Sequence, residues 1–183
     1  MKLLNTWIIA FILSAAAANA QAVDSMSIEG GTSFSSRGDD TDMVRAGVQW
    51  DWGVKWFEHE SWYLTGYWDL SLGYWHTDDK LDNHDVVDLG FTPTFRLRSS
   101  ATSGFIPYAE FAVGAHYLSD KDISDKRKFS TNFQFGDHIG LGFMFGDKGQ
   151  YDLSYRLQHL SNASIDSPNP GINFNQIRFQ YHF

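Results

Sequence analysis

Apolar and polar residues alternate with a period of two along most of the chain. Val44, Ala46, Val48, Trp50, Trp52, Val54 and Trp56 share one parity, while Arg45, Gly47, Gln49, Asp51, Gly53 and Lys55 occupy the other. An amphipathic helix would bring its apolar residues back every three or four positions, so this run predicts a strand. The same pattern recurs at Trp62 to Tyr74, Val87 to Leu97, Phe111 to Tyr117, Phe133 to Phe145, Tyr151 to about Ala163 and about Asn173 to Phe183. A weaker alternation, with Met26, Ile28 and Phe34 in phase, runs from Met26 to Ser36 before Arg37-Gly38-Asp39-Asp40 breaks it. Eight strands are therefore expected. Phe57 to Glu60, Ser99 to Gly104 and Gly146 to Gln150 read as short turns, and Thr77 to His84, Ser119 to Lys128 and Asp166 to Gly171 as longer polar connections.

Strands of about ten to fifteen residues are long enough to cross a bilayer at a tilt. Only a closed sheet leaves no unpaired backbone in lipid. The expected fold is thus all-β, an eight-stranded antiparallel transmembrane up-and-down barrel with its apolar parity facing lipid. Phe183, with Tyr181, Phe179 and Ile177 in phase, suits the aromatic last strand of a bacterial outer-membrane barrel. Arg45, Asp51, Lys55, Asp69, Arg96, Arg98, Glu110, Arg156 and Arg178 then face the lumen, which eight strands leave just wide enough to be filled by side chains. A water-soluble barrel would reverse the faces. Trp50, Trp52, Trp56, Trp62 and Trp68 all lie on the apolar parity, and a small soluble core has little room for so many. Interfacial girdles of a membrane barrel do.

Residues 1–20 change the picture only in where the barrel goes. Lys2, the apolar run Trp7 to Leu13 and Ala18-Asn19-Ala20 read as a secretory signal peptide, with residues 21–183 as the single barrel domain. Without that segment 13 Lys and Arg stand against 22 acids, a formal charge of −9, which argues against nucleic acid as a partner. The chain has no cysteine and its seven histidines show no metal-ligand spacing, so no disulfide framework, metal or other cofactor is expected. An exported N-terminus and an even strand count put both ends at the periplasmic rim.

The chemistry-bearing stretch is Gln158-His159-Leu160-Ser161-Asn162-Ala163. His159 and Ser161 continue the lipid-facing parity of Leu153, Tyr155 and Leu157, and on the returning strand Asn173 and Asn175 share the parity of Phe179 and Tyr181. Polar groups that face lipid are costly and usually functional. A hydroxyl, a base within reach and a group to orient that base are the parts of nucleophilic catalysis. Among the other histidines, His116 and His138 face the lumen as structural groups, His59 lies in a periplasmic turn, and His76 and His84 flank an outer loop. Arg37, Lys121, Lys126, Arg127 and Lys128 read as solvated loop charge, with attraction to an anionic lipid headgroup as the functional version.

His159-Leu160-Ser161-Asn162-Ala163, followed by Pro168-Asn169-Pro170-Gly171, resembles the C-terminal hairpin of the PagL-type lipid A 3-O-deacylases. The resemblance implies an outer-membrane esterase that removes the acyl chain ester-linked at position 3 of lipid A, with lipopolysaccharide as substrate. It implies Ser161 as nucleophile, His159 as general base and Asn162 in an oxyanion role. In the family's best-known member a glutamate orients the histidine at the position that aligns with Asn173. No Asp or Glu follows Asp166 here, so Asn173 is expected to fix the imidazole tautomer without supplying charge, and Asp166 is a second candidate. A non-enzymatic barrel of structural or surface-binding type is the rival reading, and acyl transfer from a phospholipid a third.

Overall fold

A computed structural model describes residues 22–34, 40–78 and 83–183. Residues 1–20 and most of the Arg37 to Asp40 break lie outside the described residues. The chain forms β1 (Ser25–Ser33), β2 (Thr41–Asp51), β3 (Trp62–Asp78), β4 (Asn83–Ser99), β5 (Ile106–Leu118), β6 (Asp122–Ser124), β7 (Arg127–Lys128), β8 (Phe133–Phe145), β9 (Tyr151–Ser161) and β10 (Ile172–His182). All but β6 and β7 close into one antiparallel barrel in the order β1-β10-β9-β8-β5-β4-β3-β2. The seam between β1 and β10 is fully paired, from Ser25 opposite His182 to Ser33 opposite Phe174. No barrel strand is left with an open edge, the condition lipid imposes on a sheet.

The alternation decides which residues face where. Leu70, Leu72, Val87, Leu89, Val113, Ile139, Leu141 and Ile177 stand exposed on the outer wall, while Arg45, Asp69, Arg96, Glu110, Arg156 and Arg178 are buried inside. Those interior charges are paired. Arg45 reaches Glu29 at 2.5 Å and Asp88 at 2.8 Å, and Arg178 reaches Asp69 at 2.8 Å. Glu110 takes both Arg156 at 2.6 Å and Arg96 at 2.9 Å. His116 Nδ1 lies 2.8 Å from Asp88, a structural place in the lumen, and His138 is buried beside it. Around Glu29, Arg45, His116, His138 and Arg156 the free space is about 20 Å³, little more than one water, so the lumen is filled at this level.

Several expectations are corrected. Strand β2 ends at Asp51 although the alternation runs on to Trp56, because Gly53 takes a left-handed φ of 66° and turns the chain out of the sheet. Trp52 folds over Gly66, where any Cβ would collide with its ring, and Trp56 keeps only a single bridge to Leu64. Asp51 and Lys55 are consequently exposed at the rim that holds the termini, and Arg98 is half-buried there with its guanidinium 5.5 Å from the Tyr63 ring centre. At the opposite rim β3 and β4 pair as far as Asp78 and Asn83, so the expected loop from Thr77 to His84 is strand at both ends.

The lumen is also not polar throughout. Near the rim opposite the termini, Met43, Trp75, Val86, Leu118, Leu160, Ile172 and Phe174 point inward and form an apolar plug. Ile123 and Phe129 complete it from the β6–β7 hairpin, which the sequence presents as a charged loop. Trp75 and Phe174 meet at 5.0 Å between ring centres. Arg127, expected to be solvated, is buried under the same hairpin, whereas Lys128 stays exposed and bridges Asp122 at 3.0 Å.

Candidate active site

The β9–β10 hairpin carries the site at the rim opposite the termini. Strand pairing sets Asn173 directly across from His159, and Ile172 across from Leu160. Leu160 and Ile172 drop into the plug with no exposure, which anchors the hairpin and turns the neighbouring His159, Ser161 and Asn173 to the outer wall, where each is half-buried. His159 Nδ1 and Asn173 Oδ1 are 2.6 Å apart. An amide oxygen only accepts, so this contact places the imidazole proton on Nδ1 and leaves the lone pair on Nε2. Ser161 is the next outward-facing residue of β9, about 6 to 7 Å along the strand, within side-chain reach of that nitrogen.

Two features of the returning chain shape the imidazole pocket. Gly171 has φ of 61°, and a Cβ there would lie 2.8 Å from His159 Cε1, so the backbone lies close against the ring. Its carbonyl accepts a 2.7 Å bond from the buried Arg127 Nη1. The loop itself is organised by Asn162, which is fully buried. Its Nδ2 donates to Ser130 Oγ at 2.8 Å and to the Asp166 carbonyl at 3.0 Å, and its Oδ1 accepts from Ser164 N–H at 2.9 Å. The Asn162 side chain is therefore occupied in holding the loop. Its backbone N–H, 3.1 Å from Asn169 Oδ1, is the donor next to Ser161. Asp166 accepts from Ser167 N–H at 2.8 Å and is exposed, so of the two candidates Asn173 is the one that contacts His159.

Sequence reasoning passed over three contributors. Gly171 and Arg127 come to the site through the loop path, which no local pattern announces. Asp137 on β8 lies across from His159 on the side away from Asn173, and Phe135 lies across from Ser161. The signal for Asp137 was in the sequence, a lone acid between Phe135 and Ile139 on the lipid-facing parity. Lower on the same wall, Tyr155 donates a 2.6 Å bond to Asn175 Oδ1, which satisfies that second lipid-facing amide. His76 sits above the apolar band, 2.7 Å from Asp85 and 3.1 Å from Asp78, a surface pair remote from β9 in barrel order.

Comparison with known proteins identifies the family. Residues 42–182 match the family described as Lipid A 3-O-deacylase (PagL). The lipid A deacylase PagL of Pseudomonas aeruginosa is 33% identical over 171 residues, covering 93% of this chain and 92% of that one. The lipid A deacylase PagL of Bordetella bronchiseptica is 36% identical over 115 residues, 63% of this chain and 61% of that one. A crystal structure of the outer membrane enzyme PagL superposes with a TM-score of 0.74 at 26% identity, over 87% of this chain and 99% of the other. On these grounds the chain belongs to the PagL family of lipid A 3-O-deacylases.

Proposed function

We propose that this outer-membrane barrel hydrolyses the ester-linked acyl chain at position 3 of lipid A, with Ser161 as nucleophile and His159 as general base. Residues 1–20 serve as the export signal, the termini lie at the periplasmic rim, and the β9–β10 hairpin meets the outer leaflet. The observation that carries the reading is the 2.6 Å contact between His159 Nδ1 and Asn173 Oδ1 on the lipid-facing wall. His159 Nε2 takes the proton of Ser161 Oγ as that oxygen attacks the acyl carbonyl. The tetrahedral oxyanion is held by backbone donors of the turn after Ser161, with Asn162 N–H exchanging Asn169 for the oxyanion. Collapse returns the proton from His159 to the departing sugar oxygen. Water, deprotonated in turn by His159, then releases the fatty acid from Ser161. The substrate reaches the wall by lateral diffusion in the leaflet, and the reaction needs no metal or organic cofactor.

Mass spectrometry of lipid A incubated with detergent-purified protein, beside a Ser161→Ala control, tests this. Loss of a single acyl chain from position 3 is expected with the unsubstituted protein, and a fall of roughly 10³-fold or more in the variant. Intact lipid A from a correctly folded barrel would favour the non-enzymatic reading. Asn173→Ala is expected to cost about 10²-fold in kcat, and an unchanged rate would remove Asn173 from the site.

A further inference from the structure

Asn173 orients the imidazole but carries no charge, although the general base becomes an imidazolium once it has taken the serine proton. β10 has no acid to offer, since none follows Asp166. We propose that Asp137 supplies that charge from the other side, as a positioning residue that stabilises protonated His159. The proposal rests on the assignment of His159 and Ser161 made above.

Three observations support it. Asp137 on β8 is the direct cross-strand partner of His159 on β9, as Asn173 is on β10, so His159 lies between them in the sheet. Directly opposed residues of antiparallel strands have Cβ atoms about 4.5 to 5.5 Å apart, which brings a carboxylate alongside a histidine ring. Asp137 is exposed on the outer wall in a row with Phe135 and Ile139, where a charge is unfavourable unless something offsets it. Neither arm interferes with the other: Asn173 holds Nδ1 through a hydrogen bond, and Asp137 acts through space.

The charges around the ring are few. From β10 comes the uncharged Asn173, from the loop before it Gly171, and from β9 the uncharged Leu157 and Ser161. From the β6–β7 hairpin comes Arg127, whose guanidinium is committed to the Gly171 carbonyl. Asp137 is the negative member of this set and opposes the Arg127 field. No proton moves to it. Through the attack the proton passes from Ser161 Oγ to His159 Nε2 and stays there until the sugar oxygen leaves.

The test measures kcat and KM for fatty acid release from lipid A in mixed micelles. Four proteins are compared with the unsubstituted one: Asp137→Asn, Asn173→Glu, the double variant and Ser161→Ala, each checked for heat-modifiable migration as a folded barrel. Asp137→Asn should lower kcat about 10- to 100-fold and leave KM within about twofold. A carboxylate stabilises the imidazolium, so its removal should slow the step in which His159 takes the serine proton. Asn173→Glu in the Asp137→Asn background restores the charge from β10 and should recover most of the loss. A wild-type kcat in Asp137→Asn would overturn the proposal. So would a raised KM with kcat unchanged, which would make Asp137 a substrate contact, or a loss that Asn173→Glu does not rescue. If Ser161→Ala remains active, the underlying assignment has failed instead.

Discussion

Gly171 illustrates how closely the backbone can hold the imidazole of a candidate site. Its left-handed φ costs an L-residue about 1–2 kcal/mol, and a Cβ would press on His159 Cε1 at 2.8 Å. Gly171→Ala should therefore cut kcat by roughly tenfold or more while the barrel still folds, measured as acyl release beside heat-modifiable migration. The stability loss belongs to a loop and stays near the backbone penalty, whereas the ring must move or tilt. At this scale the sequence was informative wherever parity was enough. His159, Ser161 and Asn173 fall on one wall by counting alone, because a strand sends every second residue to the same side. Asp137 obeys the same count, but it only becomes a neighbour of His159 once β8 is registered against β9. Gly171 and Asn162 act through a turn, where no period applies. The buried amide of Asn162, bonded to Ser130 and Asp166, is a loop tie that the motif alone presents as a catalytic group.

The β6–β7 hairpin is the element that the sequence hides. Its strands are three and two residues long, too short for any alternation to register, and Lys121, Asp122, Asp125, Lys126 and Lys128 make it look solvated. Packing reveals the other face. Ile123 and Phe129 fill the plug under the site, Ser130 N–H binds the Pro168 carbonyl at 3.1 Å, Ser130 Oγ accepts from Asn162, and Arg127 binds the Gly171 carbonyl. The hairpin thus clamps the loop that joins Ser161 on β9 to Asn173 on β10. Arg127→Met should lower kcat about tenfold, and amide exchange in residues 162–171 should quicken while that of the barrel strands stays slow. Equal protection throughout would show that the loop holds itself. The opposite error arose at β2, where Trp52, Val54 and Trp56 keep the alternation after the strand has ended. Those tryptophans form an aromatic cluster at the terminal rim, with Trp52 5.4 Å from Trp68 and 4.9 Å from Phe95 between ring centres. Interfacial aromatics are selected for depth, not for strand pairing, so they extend a pattern beyond the sheet that produced it.

For the molecule as a whole, fold stability and chemistry occupy opposite faces of one wall, and this separation can be measured. Glu110 is fully enclosed by Arg96, Arg156 and the Tyr67 hydroxyl. Its removal strands two buried guanidinium groups, and breaking a buried pair from one side costs about 3–5 kcal/mol. Leu141 faces outward with 69% of its surface exposed, and an arginine there would sit in hydrocarbon at a cost of about 2–4 kcal/mol near the bilayer midplane. Glu110→Ala and Leu141→Arg should therefore both lower the urea midpoint of the barrel in lipid vesicles. Neither should change the rate of deacylation per folded molecule, because a substrate that arrives through the leaflet never enters the lumen and Leu141 is deeper than the reacting ester. The two outcomes separate the routes of access. If Glu110→Ala changed kcat or KM in molecules that remain folded, the lumen would have to communicate with the site. Leu160 and Ile172 of the plug, wedged directly behind His159 and Asn173, would be the path to examine.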